Sequence, residues 1–496
     1  MKNILKSINI LMVVLLLGSC SENYLDVNTD PNNPLTVSPD LILPVALNFS
    51  NIIEERDRGM NHLGNMFMAN WSQSDGFSWY NEEFKYQVTS SFYSRIFDYT
   101  YSQVLKEYHA LVTLPGAENG YYQAIGKIME SLHFQLLVDT YGDIPYTEAL
   151  GRGNNPTPAY DEGLFVYEGI MDDLTDAIAL INATAANSEL SPVLPGGDDG
   201  VFGGDMDMWK RFANTIKLRI LVRQSDMAGR AGYIQEEFNK IATEGSGFMN
   251  TDVTVNIGYA QITDQQNRKW NDFGFDVSGT VDLTNDATCA TPYVLDRLMS
   301  TNDDRLNFLF EEPATGHLGV VQGLQNYDGP VDYGPDFVSN IGPGLLKSPS
   351  QDGVIYSAAE SYFNRAEAAL KGFISSDPKA MYESGIQASF TYLGAGDASD
   401  YYDQEISTVS WANSSNKLEA IMIQKWIGLM GINALQTWFD YNRTGYPSDV
   451  PVSLTAPSSD RPVRLFYPSS EITSNANNVP INSPGDEFTA KIFWAN

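Results

Sequence analysis

A chain of 496 residues with 43% hydrophobic and 19% charged positions has the composition of an ordered protein able to bury a large core, which excludes disorder as the default. Its 62 acidic and 30 basic side chains give a formal charge of -32, a balance that repels phosphate backbones and anionic lipid surfaces. Nucleic acid is thereby excluded as an expected partner, and so is an electrostatic membrane patch.

At the N-terminus Lys2 and Lys6 flank the start of an apolar run from Ile8 to Leu17, broken only by Asn9. The run is too short for a permanent transmembrane helix and reads as an export signal. It ends in Leu17-Gly18-Ser19-Cys20, which resembles the bacterial lipobox, where small residues admit a peptidase ahead of a cysteine that carries lipid. The expected organisation is a signal peptide over residues 1–19, a tether rich in Asn, Asp and Pro over 20–39, and a single domain over 40–496. No later stretch is a continuous apolar run of about 18 residues, so lipid on Cys20 would be the only membrane attachment. The other cysteine, Cys289, then has no disulfide partner and reads as a small buried apolar group.

Helical periodicity dominates the rest of the chain. Ile125, Ile128, Met129, Leu132 and Leu136 recur at intervals of three and four, which lines one face of a helix over Tyr122 to Tyr141. Tyr167, Ile170, Met171, Leu174, Ile178 and Ile181 repeat the pattern, as do Trp209, Phe212, Ala213, Ile216 and Ile220. A fourth stripe runs Ile355, Ala358, Ala359, Tyr362, Phe363, Ala366, Leu370, and a fifth passes through Leu418, Ile421, Met422, Trp426, Leu429 and Met430. Asp161 and Asp205 stand where they could cap two of these helices, and Gly372 where it could end a third. Small residues at Ala358, Ala359, Ala366 and Ala369 would let that helix approach a neighbour closely, as stacked helix pairs require. No clean repeat of about 34 residues is present, so the expectation is degenerate helix pairs and not a regular solenoid. Long segments of low helical signal separate them: Ser72 to Tyr86, Asn182 to Gly204, Met249 to Thr291, Phe310 to Gly353 and Pro447 to Asn496. Segments of that length inside a compact fold are usually functional.

Chemical motifs are scarce. The sequence holds no Gly-rich phosphate loop, His-Glu-x-x-His helix or Gly-x-Ser-x-Gly elbow. His62, His109, His133 and His317 stand singly and read as structural, and the acidic residues are too numerous for a catalytic pair to stand out. Gly196-Gly197-Asp198-Asp199-Gly200 offers oxygen ligands but lacks the spacing of a calcium loop, so a solvated turn is expected. No catalytic residue, metal or cofactor is assigned.

Aromatic rings outside the helical stripes are more informative, because flat rings stack on sugar faces and their polar neighbours can pair hydroxyl groups. They are Trp71 with Phe77-Ser78-Trp79-Tyr80, then Asn267-Arg268-Lys269-Trp270-Asn271-Asp272-Phe273, then Tyr327-Asp328 and Tyr333. The expected ligand site uses Trp79, Tyr80, Trp270 and Phe273 as stacking surfaces, with Arg268, Asn271 and Asp272 as hydrogen-bonding partners. Any one ring could instead staple its loop to the body. Tyr327, Asp328 and Tyr333 are the next candidates.

Several segments together resemble the nutrient-binding lipoproteins of the SusD and RagB type, in particular the SusD-like branch. They are His133 to Tyr146, Phe202 to Arg219, Asn302-Asp303-Asp304-Arg305-Leu306, Ala359 to Ala369, Gln424-Lys425-Trp426-Ile427, Trp438 to Pro447, and Tyr467-Pro468 before Glu471. Their order is the family's, and they cover nearly the whole expected mature chain. Asp304 departs from the family's frequent Pro. The resemblance implies a mainly α-helical protein with four tetratricopeptide-like helix pairs as scaffold and long loop-rich insertions carrying the site. It implies no catalysis. The function it implies is surface capture of a nutrient, most often a glycan, for a TonB-dependent, SusC-like barrel in the outer membrane. A surface lipoprotein glycoside hydrolase and a peptide-binding helix-pair scaffold are the alternatives.

Overall fold

A computed structural model of the protein describes residues 37–151, 154–324 and 329–495. The expected leader, Cys20 and most of the tether lie outside these residues, as do Tyr327 and Asp328. Helix α1, Pro39–Glu55, opens the fold with a proline in its first turn, where the missing N–H leaves no bond unmade. The expected end of the tether at residue 39 is thus the helix's first residue. Helix α2, Met60–Phe67, and strand β1, Trp71–Gln73, follow.

Arg95–Tyr99 then runs through a π-helical turn at Thr100–Leu105 into α3, Lys106–Val112, which packs on α4, Gly120–Tyr141. Next come α5, Gly163–Ala186, and α6, Met206–Arg223, packed on each other. An insertion over residues 224–357 carries α7, Ala231–Glu244, β2, Val253–Val255, β3, Thr288–Ala290, α8, Pro292–Ser300, and β4, Gly353–Tyr356. The chain then resumes the stack with α9, Ala358–Leu370, against α10, Pro378–Leu393, and α11, Lys417–Leu429, against α12, Ala434–Thr444. Four helix pairs are therefore present among the described residues, and α4 on α5, α6 on α9 and α10 on α11 join them into one stack. The mainly helical fold expected from periodicity is the observed one.

The stripes read from the sequence mark the buried faces, except that Leu370 at the end of α9 is exposed and Tyr362 and Leu418 are half-buried. Ile125, Ile128, Met129, Leu132 and Leu136 are all buried in α4, which lies between α3 and α5 and is covered almost all round. Phe363 of α9 sits against Gly385 of α10 and Gly428 of α11; a Cβ at residue 385 would come within 2.8 Å of the ring. That contact shows what small residues do in this stack. Two local expectations need correction. Ile355 belongs to β4, so the α9 stripe begins at Ala358. Asp161 does not cap α5: its carboxylate accepts the backbone N–H groups of Tyr146 and Thr147, and the Gly163 N–H goes to Asp143. Asp205 does cap α6, accepting from Asp207 and Met208, and Gly372 follows α9 at φ 81°.

Polar pairs cross the stack at depth. Glu360 accepts two bonds of 2.7 Å from Arg219, and Glu367 accepts bonds of 2.6 and 2.7 Å from Arg443. Within the insertion Asp303 holds Arg305 at 2.6 and 2.9 Å, and Arg305 reaches the stack through Ser389 of α10 and Gln424 of α11. Burial would raise the Asp440 carboxyl, but Lys425, Arg223 and Arg443 outweigh it and hold it down at about 2. An antiparallel strand pair, β1 with β3 through Trp71 opposite Ala290, ties the insertion to the body, and β2 with β4 closes the insertion on itself where the chain returns to α9. The C-terminal segment returns to the first pair, where Trp494 donates to Asp139 and Tyr467 to the Asp143 carbonyl. No helix among the described residues is long and apolar enough to cross a membrane.

Candidate functional site

Helix α1 ends at Glu55, and the next residues, Arg56, Asp57 and Arg58, make the turn into α2. Cations suit this place because the helix C-terminus carries partial negative charge. Gly59 closes the turn, and a Cβ there would meet the Ile53 carbonyl at 2.6 Å and the Arg56 carbonyl at 2.9 Å. Against this corner docks the short helix Arg268–Phe273 from the insertion. Asn267 caps it by accepting from the Trp270 N–H, and its own side chain donates to Glu55 at 3.1 Å. Lys269 meets Glu55 at 3.2 Å, a buried ion pair. Positions i and i+4 of the helix, Lys269 and Phe273, therefore point inward, and Arg268, Asn271 and Asp272 come to the opposite side.

That side is one wall of a cleft of about 470 Å³ whose other walls are Arg56 to Arg58, the 91–95 turn and the 282–284 turn. Four guanidinium groups line it: Arg56, Arg58, Arg95 and Arg268. Asp272 engages Arg268 at 2.8 Å and accepts the Asp57 N–H at 2.8 Å, while Asn271 donates to its other oxygen at 3.1 Å. Arg58 lies 3.2 Å from Asp57 and 3.8 Å from Glu83. Burial would lower Arg58, but those carboxylates outweigh it and raise it. Asp57 shows the mirror image: burial would raise it, but His62, 3.0 Å away, and Arg58 bring it below the usual carboxylate range. Arg58 and Tyr93, both in the lining, adopt left-handed backbone at φ 51° and 50°, a strained state for residues with side chains that collects at functional sites.

Beneath the cleft lies a cluster of rings centred on His62, with Tyr80 at 5.0 Å and Phe273 at 5.5 Å, both edge-on, and Trp71 at 5.8 Å. The two loops picked out by composition thus meet at His62. They do not present four rings to solvent. Tyr80 is buried, its hydroxyl 2.8 Å from Thr288, and Phe273 is buried between His62 and Trp71, so both are core and not stacking surfaces. Trp270 is half-buried against Phe275, and its indole N–H finds no acceptor among the described residues. It acts as a staple.

Trp79 alone of the four is exposed, at 38%. Its ring meets Phe77 edge to face at 5.1 Å, and its carbonyl accepts from Arg58 at 3.0 Å, which sets the aromatic turn beside the arginine cleft. Gln73 braces that turn from β1, accepting from the Trp79 N–H at 2.6 Å and donating to the Phe77 carbonyl at 2.6 Å. Tyr333 belongs to a different place, where its carbonyl accepts from the Asp75 N–H and its ring lies on the small core around buried Cys289. Arg56, Arg58 and Arg95 were not among the residues expected from composition. The run Glu54-Glu55-Arg56-Asp57-Arg58-Gly59, charged and ending in glycine, is a signal that could have drawn attention to Arg56 and Arg58, and Arg95 had no such signal.

The remaining candidates have structural roles. His133 is buried, hydrogen-bonded to Ser50 at 2.8 Å and pushed by burial down to about 3, and His109 pairs with Glu130. Asp199 accepts from three backbone N–H groups and from the Trp209 indole, so its oxygens are committed to the turn itself. No group of three or more potential metal ligands occurs among the described residues. A second cavity, about 560 Å³, lies between Phe97, Tyr101, Pro145, Leu150 and Pro158, away from both loops. Chemically the arginine cleft is arranged to bind: the carboxylate with a lowered pKa, Asp57, is no proton donor, and Glu83, which burial raises, is covered.

Comparison with known proteins agrees with the architecture. The SusD-like family model described as starch-binding and associating with the outer membrane matches residues 31–468. A chitin-binding SusD homologue from Flavobacterium johnsoniae superposes with a TM-score of 0.75 at 22% identity, covering 92% of this chain and 98% of that one. A SusD homologue from Bacteroides vulgatus gives 0.74 at 22%, covering 91% and 97%, and a SusD-like protein from Bacteroides thetaiotaomicron gives 0.70 at 22%, covering 92% and 99%. No curated protein matches the sequence.

Proposed function

This chain belongs to the SusD-like family, and from that premise we propose that it is a lipoprotein, anchored through Cys20, that captures a glycan at the cell surface for a TonB-dependent, SusC-like barrel. Members of the family are binding proteins of the outer membrane and not enzymes. The observation that carries the site is the cleft at the α1 corner, where four arginines, Asn271 and the exposed Trp79 turn converge on a rigid scaffold. Stacking plus dense hydrogen bonding is what a polyhydroxylated ligand needs once it leaves water. A glycan array followed by calorimetric titration tests this reading: at least one saccharide binds saturably and is released unchanged. Binding to peptides alone, or turnover of the bound sugar, overturns it.

The anchor and the partner have their own tests. Changing Cys20→Ala abolishes incorporation of a fatty-acid probe and releases the protein from the outer membrane; label persisting in the variant refutes the anchor. A pull-down in mild detergent recovers an outer-membrane barrel with the protein. Repeated recovery of the lipoprotein alone, from membranes that contain the barrel, counts against the partnership.

A further inference from the structure

The cleft holds more positive charge than its own carboxylates engage. Of its three aspartates, Asp57 is met by Arg58 and lies 3.0 Å from His62, Asp272 is taken by Arg268, Asn271 and a backbone N–H, and Asp282 by the N–H of Thr284. Arg56 and Arg95 have no carboxylate within 4.0 Å among the described residues. They crowd one another instead: burial lowers the Arg56 guanidinium, and the charges of Arg95 and Arg268 lower it further. Crowded, incompletely paired guanidinium groups are costly, and in a protein of formal charge -32 they stand out against the general acidity. An anion between them would relieve that repulsion.

We propose that the saccharide captured in this cleft is acidic, and that its carboxylate is held by Arg56 and Arg95. The inference rests on the glycan-binding reading given above and adds to it the charge of the ligand. A guanidinium presents a planar fork that matches a carboxylate through two parallel bonds, which is why arginine serves planar anions better than lysine does. Arg268 and Arg58, already braced by Asp272 and Asp57, border the same space with donors left for ring hydroxyls, and Asn271 and Ser94 add further polar groups. A volume of about 470 Å³ suits a short oligosaccharide segment.

The test titrates the full chain, purified in mild detergent, with trigalacturonate, its methyl ester, a sulfated trisaccharide, maltotriose, chitotriose and a short acidic peptide. Trigalacturonate binds, and its methyl ester, which removes the charge and adds only a methyl group at each carboxyl, loses about tenfold or more in affinity. Rising salt weakens the uronate and leaves neutral sugars unaffected. Arg95→Gln and, separately, Arg56→Gln each reduce uronate affinity by a similar factor, and the melting temperature of each variant reports whether the fold persists. The methyl ester binding as well as the acid overturns the inference. So does maltotriose or chitotriose binding while the uronate does not, an outcome that leaves the glycan reading standing. Tighter binding of the sulfated sugar refutes the carboxylate, and binding of the peptide alone refutes both readings.

Discussion

Two groups of arginines divide this molecule. In the helix stack Arg219 and Arg443 are buried, as is Arg305 of the insertion where it docks on the stack, and each is met by a carboxylate through two bonds of 2.6 to 2.9 Å. At the α1 corner Arg56 and Arg95 face a cleft and meet none within 4.0 Å among the described residues. The same side chain therefore does opposite work in the two regions. At depth its charge is neutralised on the spot, because an uncompensated ion in a dry interior is very costly, and the Arg219–Glu360 and Arg443–Glu367 pairs also join helices distant in sequence. In the cleft water keeps the unpaired charge tolerable, and the charge remains available to something from outside.

The comparison breaks most visibly if one stack partner is removed. Arg443→Met strips buried Glu367 of both guanidinium bonds, leaving it Lys371 at 3.0 Å, and lowers stability by about 3 kcal/mol, measured by urea unfolding. A loss below about 1 kcal/mol would mean the pairs do not hold the stack together.

Glu54 sharpens the point, as a buried carboxyl in the last turn of α1 that has Asn433 at 3.0 Å and no guanidinium bonded to it among the described residues. Burial raises it to about 7 from 4.5. The folded state then holds a proton that the unfolded state releases between pH 4.5 and 7, so this contribution to stability is complete below pH 4.5 and is lost as pH rises towards 7. The loss is of order 3 kcal/mol, and Glu54→Gln flattens that part of the stability–pH curve. Melting profiles of parent and variant that stay parallel from pH 4.5 to 7 would show that Glu54 does not titrate there.

On the cleft side, Trp79→Ala removes the exposed ring and weakens glycan binding by about 2 kcal/mol, roughly thirtyfold, with little change in melting temperature. Trp270→Ala does the reverse, lowering the melting temperature and sparing affinity, because its ring packs on Phe275. Calorimetric titration beside melting curves separates them, and equal behaviour of the two variants contradicts the division between rim and staple. The smallest effect belongs to Arg95→Gln without ligand, where stability stays within about 0.5 kcal/mol of the parent, since an exposed arginine with no carboxylate partner holds nothing together. A larger loss would place Arg95 with the structural arginines.

The scaffold was legible in the sequence because its signals are local. A stripe at intervals of three and four, as in Ile125 to Leu136, specifies both a helix and the face it buries, and the segments carrying the family resemblance contain the paired residues Arg219, Arg305, Glu360, Glu367 and Arg443. Composition also drew attention to Phe77 to Tyr80 and Asn267 to Phe273, the two loops that meet at His62. Which of their side chains face outward was settled only by the tertiary structure. A six-residue helix has no apolar stripe long enough to announce its buried face, so docking of Lys269 on Glu55 decided that Phe273 goes in and Arg268 comes out. The cleft itself is assembled from residues near 56, 93, 270 and 283, and whether an arginine finds a carboxylate across more than a hundred residues depends on how the helices pack and not on any neighbour in the chain.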